Sequence, residues 1–325
     1  MAFHILIPDN LSREGIELLQ SNPEFRVTTG PLSREEAMAA AADADALIVR
    51  SSTKVDAEFL AAAPKLKVIA RAGVGVDNID LAAAAVRGIV VMNTPGGNAN
   101  AAAEHTLGLM LALARHIPAA HQSLLEGRWD RKKYKGTELR GKTLGVIGLG
   151  RIGQTVAAFA QAFGMVVIAC DPPIPAEVFE RCGVARVSLD ELFSRSDYIT
   201  LHAPANEQTR HMIDAGAIAR MKDGVRIINA ARGSLIDADA LAEAIKSGKV
   251  AGAALDVYEV EPPPADYPLI GLDGVVHTPH LGASTKEAQV AVAVQAAEQV
   301  RDALLRGETR YVVNASLPGM AEARD

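Results

Sequence analysis

The sequence predicts an α/β chain of two Rossmann-like parallel-sheet domains with a cleft between them. Three observations lead there. Short apolar runs alternate with helix-like stretches over residues 1–95, the same rhythm restarts near Thr143, and the second run opens on a glycine-rich turn that the first lacks. Such alternation marks a parallel sheet covered by helices on both faces. At 325 residues the chain has room for two cores.

In the first run HILIP, FRVTT, ALIVR, LKVIAR and GIVVMN read as strands, bounded by Pro, Gly or Asn. SREGIELLQ, SREEAMAAAA and DAEFLAAA read as helices, with Ser12 and Ser33 as N-caps. Between Asn98 and Ala120 the segment AAAEHTLGLMLALARHI predicts one long helix ending near Pro118. Its almost uniformly apolar surface predicts burial, as the connection between domains.

Residues 127–142, GRWDRKKYKGTELRGK, break the pattern: seven of the sixteen are Arg or Lys, against two acids. Two readings stand side by side, a solvated loop and a basic arm lying near an anionic site, including one on a neighbouring subunit.

In the second run TLGVIG, MVVIAC, GVARV, YITLHA, VRIINA, AGAALDV and VVHTPH read as strands. SLDELF, DAGAIARM and DADALAEAIKSGK read as helices, the last capped by Asp237. Ser284–Arg306 predicts one long helix, TRYVVN a short final strand, and LPGMAEARD a loose polar tail. The terminal helix must pack somewhere, and the first domain is the economical choice. The expected division is therefore 1–97 plus 285–325 against 98–284.

Gly148, Gly150 and Gly153 form G-x-G-x-x-G at the end of a strand-like run, and Asp171 closes the next strand about twenty residues later. The first glycine permits a tight turn, the second a close approach of backbone to a pyrophosphate, the third close helix–sheet packing. The helix N-terminus favours the anion through its free N–H groups and dipole. Asp171 accepts both hydroxyls of an adenosine ribose and repels a 2′-phosphate, so the expected cofactor is NAD rather than NADP.

Polar residues recur where the carboxyl ends of the second set of strands should meet: His202, Arg232, Asp256, Glu261 and His280. Hydride transfer at carbon needs a proton taken from or given to the attached oxygen, which histidine does near neutral pH. A paired carboxylate raises the imidazole pKa and orients the ring. A guanidinium grips a substrate carboxylate in bidentate fashion. Arg232, Glu261 and His280 are the favoured set. Their ordinary alternatives are a surface ion pair for Arg232, a solvated turn acid for Glu261 and a helix cap for His280. His105, within the apolar helix, reads as structural.

The bulk properties narrow the class. A net charge of −6 and a pI near 5.8 argue against nucleic acid as partner. Cys170 and Cys182 do not make a disulfide framework. MAFHILIPDN has no secretory-signal pattern, and every long apolar stretch is interrupted by a polar residue, so no membrane span is expected. A cytoplasmic protein fits. No spacing suggests a metal site, a nucleophile-elbow serine or a phosphate-binding lysine loop.

The chain also resembles the D-isomer-specific 2-hydroxyacid dehydrogenase family over nearly its whole length. RAGVGVDNID at 71–80, GNANAAAEH at 97–105, RKKYKGTELRGKTLGVIGLGRIG at 131–153, NAARGSLID at 229–237, AALDVYEVEPP at 253–263 and TPHLGASTKEAQ at 278–289 carry the resemblance. It implies a substrate-binding, flavodoxin-like domain from the two outer segments and an NAD-binding domain between them. It implies His280 as acid/base, Glu261 as its partner and Arg232 as the substrate-orienting arginine. Arg151 and Ile152 would offer N–H groups to the pyrophosphate, and His202, Ala230 and Asp256 would line the nicotinamide side. The resemblance places Gly73, with Ala72 and Val74, over the substrate carboxylate, and Arg50 and Ser51 in a substrate loop, with Arg50 on a phosphate. Asn98, rather than Asn100, matches the substrate-side asparagine. Arg131 resembles a residue that reaches the neighbouring subunit's cleft, in a dimer built around the long helices of the nucleotide domain.

RKKYKGTEL and HLGASTKEAQ point to the branch that oxidises 3-phospho-D-glycerate to 3-phosphooxypyruvate with NAD, the entry to serine synthesis. Two departures stand out: Ser234 where glycine is usual, and a sequence of 325 residues where longer family members carry serine-binding regulatory domains, so that feedback through such a domain is not expected of these residues. Two other functions stay open. One is a reductase of glyoxylate, hydroxypyruvate or another 2-oxo acid; the other is an NAD-sensing, corepressor-like interaction protein.

Overall fold

A computed structural model describes residues 2–316, which form two compact units, 2–98 with 285–316 and 99–284. The segment LPGMAEARD, expected to be a loose tail, lies outside the described residues.

The first unit is a five-stranded parallel sheet of β1 (Phe3–Ile7), β2 (Phe25–Thr29), β3 (Ala46–Val49), β4 (Val68–Arg71) and β5 (Val90–Asn93), in the order β2-β1-β3-β4-β5. Its central strands are apolar throughout because both faces are covered: β3, ALIV, is buried at every position. Helices α1 (Arg13–Gln20), α2 (Arg34–Ala41), α3 (Ala57–Ala61) and α4 (Leu81–Val86) connect the strands. Ser33 closes a full capping box with Glu36. Ser12 occupies the N-cap of α1 but makes no cap bond, and its hydroxyl donates to the Glu14 carboxylate.

The terminal helix, Lys286–Arg306, packs on α1 and on β3 and β4 through Ala293, Ala296, Ala297 and Val300, all fully buried. Small residues let the backbones approach. A Cβ on Gly15 of α1 would lie 2.7 Å from the Ala293 carbonyl oxygen.

The strand expected at TRYVVN is instead one antiparallel bridge, Met92 to Val312. Tyr311 adopts φ +55°, which breaks an extended run, and the buried Asn314 side chain replaces the ladder. Its Oδ1 accepts the Val91 N–H at 3.0 Å and its Nδ2 donates to the Ile89 carbonyl at 2.9 Å.

The second unit opens on α5 (Ala99–Ala114) and α6 (Ile117–Leu125). The single long helix expected here is two, broken at His116 (φ 54°). Pro118 cannot sit inside a continuous helix because its ring would strike the carbonyl four residues back, that of Ala114. Freed from the helix, that carbonyl accepts the Thr137 N–H at 3.0 Å. Pro118 then takes up the first turn of α6, where proline is tolerated.

A seven-stranded parallel sheet follows, from β6 (Thr143–Ile147), β7 (Val166–Cys170), β8 (Ala185–Arg186), β9 (Tyr198–Leu201), β10 (Val225–Asn229), β11 (Val250–Leu255) and β12 (Val275–His277). GVARV, expected as a strand, contributes only two residues, both exposed at the sheet edge. The order β12-β11-β10-β9-β6-β7-β8 reverses direction between β6 and β9. At such a switch point successive loops run to opposite faces and leave a crevice at the carboxyl ends of the strands. α7 (Arg151–Ala162) follows β6, and α8 (Ala176–Cys182), α9 (Leu189–Arg195), α10 (Ala215–Arg220) and α11 (Ala238–Lys246) complete the layers. Asp237 caps α11 by accepting the Ala240 N–H at 3.1 Å. Among the described residues no helix is long and apolar enough to cross a membrane, and no cluster of side chains could hold a metal ion.

Candidate active site

The three glycines at the switch point do three different things. Gly148 takes φ +93°, and a Cβ there would lie 2.6 Å from the backbone of His202 on β9's exit, so only glycine fits. A Cβ on Gly153 would meet the Gly148 carbonyl oxygen at 2.1 Å, which sets how closely α7 packs on the turn. A Cβ on Gly150 would meet nothing within 4 Å. Gly150 is the N-cap of α7, with no side chain capping it, so the helix start faces open space suited to an anion. Arg151 and Ile152 begin that helix. Asp171, just past β7, accepts the Leu149 N–H at 2.6 Å through Oδ2 and so is tied to the turn. These residues fit a dinucleotide: the open helix start at Gly150 would hold its pyrophosphate and Asp171 its adenosine ribose.

His202 lies beside Gly148. Its Nε2 is 3.0 Å from Thr200 Oγ1, and burial pushes its pKa down to about 4, so the ring is neutral at pH 7. Ala230 follows β10, where Asn229 is buried and shapes the exit. The Asn229 side chain accepts the Ala231 N–H at 3.0 Å and donates to the Arg232 carbonyl at 2.8 Å. Arg232 Nη1 donates to the Ala231 carbonyl at 2.6 Å. The next residue, Gly233, locks two loops together: a Cβ there would lie 1.9 Å from the Tyr258 carbonyl carbon. Ser234 sits in the 3₁₀ turn Gly233–Leu235 without positive φ, so the serine at this position costs no backbone strain.

Glu261 and His280, from the loops after β11 and β12, are hydrogen-bonded, with His280 Nδ1 2.6 Å from Glu261 Oε2. Glu261 Oε1 accepts the Tyr258 N–H at 3.1 Å, so both carboxylate oxygens are held. The hydrogen bond to Glu261 raises the His280 pKa above its ordinary value, against partial burial. Burial pushes Glu261 upward, but its bonds from His280 and Tyr258 outweigh that and leave its pKa lowered. With Nδ1–H committed to the carboxylate, Nε2 is the nitrogen left to exchange a proton with a substrate oxygen.

Asp256 is 1 % exposed and turned into the protein. Its backbone carbonyl accepts the His280 N–H at 2.8 Å. Its side chain accepts from Thr278 Oγ1 (2.6 Å), the Leu281 N–H (2.7 Å) and the Gly282 N–H (2.8 Å). The structure therefore places Asp256 beneath the loop that carries His280.

The remaining candidates divide between the units. In the first, the carboxyl edge of the sheet gathers Arg50 and Ser51 after β3, Gly73 and Val74 after β4, and Asn98 after β5. The Arg50 guanidinium donates to the Asn10 carbonyl at 3.0 Å, and Asn78 Nδ2 braces the loop through the Arg50 and Thr53 carbonyls at 2.7 Å each. Gly73 has φ +149°, and a Cβ there would strike the Arg71 guanidinium. Val74 accepts from Asn93 Nδ2 at 2.7 Å. Asn98 is buried with Oδ1 lacking a hydrogen-bond partner. In the second unit Arg131 is exposed, and Asn100 is engaged with Glu104 at 2.6 Å.

Sequence reasoning passed over Asn229, Tyr258 and Thr278. Each acts through a backbone or side-chain bond that only the folded loops create, and no spacing in the sequence marks them.

One sheet edge thus offers a seat for a dinucleotide and an imidazole able to take or give a proton at a hydroxyl carbon, the chemistry of a nicotinamide-dependent dehydrogenase. Residues 107–282 match the model of the D-isomer specific 2-hydroxyacid dehydrogenase NAD-binding domain, and the chain belongs to that family. It is 54% identical over 312 residues to D-3-phosphoglycerate dehydrogenase of Methanocaldococcus jannaschii, covering 95% of this chain and 59% of that one. It is 50% identical over 300 residues to hydroxypyruvate reductase of Thermotoga maritima, covering 92% and 97%. A crystal structure of a glyoxylate reductase from Paecilomyes thermophila superposes with a TM-score of 0.87 at 34% identity, covering 96% and 98%. The chain spans 56–59% of the length of the phosphoglycerate dehydrogenases it matches in Methanocaldococcus jannaschii, Archaeoglobus fulgidus and Synechocystis.

Proposed function

We propose that the protein oxidises 3-phospho-D-glycerate to 3-phosphooxypyruvate with NAD, feeding serine synthesis. The observation that carries the chemistry is the 2.6 Å contact of His280 with Glu261. Neutral His280 takes the C2 hydroxyl proton at Nε2. The imidazolium so formed is stabilised by the Glu261 carboxylate. Arg232 holds the substrate carboxylate and polarises the neighbouring oxygen. A bound nicotinamide would supply the acceptor for the hydride leaving C2. Gly73 and Val74 offer backbone groups to the carboxylate; Asn98, with its unpartnered Oδ1, and Ser51 support the substrate. The resemblance of Arg50 and of Arg131 to phosphate-side arginines supports a phosphorylated acid over a smaller one.

Asp171 supports NAD over NADP, since its charge repels a 2′-phosphate. His202, Ala230 and Asp256 belong to the nicotinamide side of the same reading, Asp256 through the loop it holds. A homodimer is part of the proposal. Ile117, Leu124, Leu125 and Trp129, on α6 and the start of the basic arm, are 53–75% exposed and support a subunit contact there.

The second reading is a hydroxypyruvate or glyoxylate reductase. The observation favouring it is the match to the hydroxypyruvate reductase along 97% of that protein's length. A raised His280 pKa also suits reduction, which needs the imidazolium as acid. Steady-state NADH formation with 3-phospho-D-glycerate and a trap for the keto product, beside reduction of hydroxypyruvate and glyoxylate with NADH and NADPH, separates the two. Brisk turnover of the phosphorylated acid supports the first. Its absence, with rapid reduction of an unphosphorylated keto acid, replaces it with the second.

A further inference from the structure

His105 lies on α5, which packs on β11 and β12, and it is a histidine that the proton-transfer chemistry does not use. Its Nε2 is 3.1 Å from Asp256 Oδ1 and 3.0 Å from Thr278 Oγ1. Thr278 has one hydroxyl hydrogen and gives it to Asp256 Oδ1 at 2.6 Å. Thr278 Oγ1 can then only accept from the imidazole, and the carboxylate oxygen likewise only accepts. Nε2 of His105 therefore carries a hydrogen, shared between the two.

The carboxylate it supports has a definite task. Asp256 accepts the backbone N–H of His280 through its main chain and those of Leu281 and Gly282 through its side chain. Three consecutive amides are thus gathered by one residue. They flank a histidine at φ +55°, a left-handed conformation that a side chain this large adopts only where its surroundings impose it. With Asp256 1 % exposed, water cannot replace a lost donor. His105 adds a third donor to Oδ1, from a separate helix, beside Thr278 Oγ1 and the Leu281 N–H.

We propose that His105 is a positioning residue: through Asp256 and Thr278 it fixes the loop carrying His280 and so holds the imidazole on Glu261. This rests on the reading of His280 as the acid/base. The charged groups that act on His280 are Glu261, Asp256 and Arg232, and all three remain in the variants below.

The test compares His105→Leu, which removes the donor, with His105→Gln, which keeps an N–H near the same place. His280 is titrated by NMR in the NAD-free protein, and kcat, KM and pH profiles are measured on the full chain. In His105→Leu the His280 midpoint should fall toward the ordinary imidazole value and kcat drop about tenfold or more, with KM for NAD little changed. His105→Gln should restore both. A wild-type His280 titration in His105→Leu overturns the proposal, as does a loss of activity that follows only a loss of Tm. Failure of His105→Gln to restore the midpoint overturns it too. If His105→Leu does not fold, Thr278→Val is read by the same criteria. A wild-type protein that turns over no 2-hydroxy acid would defeat the proposed function, while the NMR arm still decides the positioning.

Discussion

The two sheets are built alike and differ at one turn. β1 and β6 hold the same place, each beside the switch point of its sheet, and each runs into a helix. After β6 the turn is Gly148-Leu149-Gly150, open above Gly150. After β1 it is Pro8-Asp9-Asn10, and the Asp9 carboxylate fills it. Asp9, 6% exposed, accepts from Thr53 Oγ1 at 2.6 Å and from the Arg50 and Thr53 N–H groups. An acid in the turn occupies the place of a pyrophosphate and ties down a loop; glycine leaves bare N–H groups for one. Topology supplies a crevice in both units, and the turn residues decide whether a dinucleotide's pyrophosphate can seat on the helix that follows the first strand.

Substitutions at the two edges should therefore fail in different ways. His280→Ala, on the second sheet, should lower kcat by about 10²–10⁴ with Tm and NAD binding retained, as steady-state kinetics and calorimetry would read. Full activity would remove the imidazole from the mechanism. Gly153→Val should lose both NAD binding and folding cooperativity, since the Cβ would meet the Gly148 carbonyl at 2.1 Å. Gly150→Ala should keep its Tm and still weaken NAD. An equal loss of stability in both would mean the turn is not held open.

Asp9→Ala should cost about 1–3 kcal/mol by denaturant unfolding, from the donors left without a partner, and leave NAD affinity unchanged. Altered NAD affinity would break the contrast between the turns. Smallest is the pair of caps in the first unit. Ser33→Ala should cost about 1 kcal/mol and Ser12→Ala almost nothing, because only Ser33 makes its cap bond.

The fold was legible because each strand was a short apolar run and each connection carried a helical pattern. The tight turn at Gly148 and the close helix packing at Gly153 were legible too, since backbone chemistry alone assigns them. Other features depend on what the chain meets after folding. Ser12 and Ser33 look alike in sequence, and only the folded turns show that one accepts a helix N–H and the other does not. The break at His116 follows from Pro118, whose effect reaches four residues back, and the proline was read only as an end. TRYVVN has strand composition, yet Asn314 satisfies β5 with a side chain. At the site, Glu261 and His280 are nineteen residues apart in sequence and joined by one contact. Thr278 and His105 carry no pattern at all, because their roles lie in Asp256, which is distant in sequence from both.

The most direct measurement is the pH dependence of kcat/KM for hydroxy-acid oxidation in wild type and in Glu261→Gln. Oxidation needs neutral His280, and its pKa is raised above 6.5, so the wild-type rate should climb with pH through a midpoint above that value. Without the carboxylate the imidazolium loses its stabilisation, so in Glu261→Gln the midpoint should move to lower pH while the plateau falls. A midpoint unmoved by the substitution, or moved upward, would contradict the pairing of Glu261 with His280 as the proton-transfer unit.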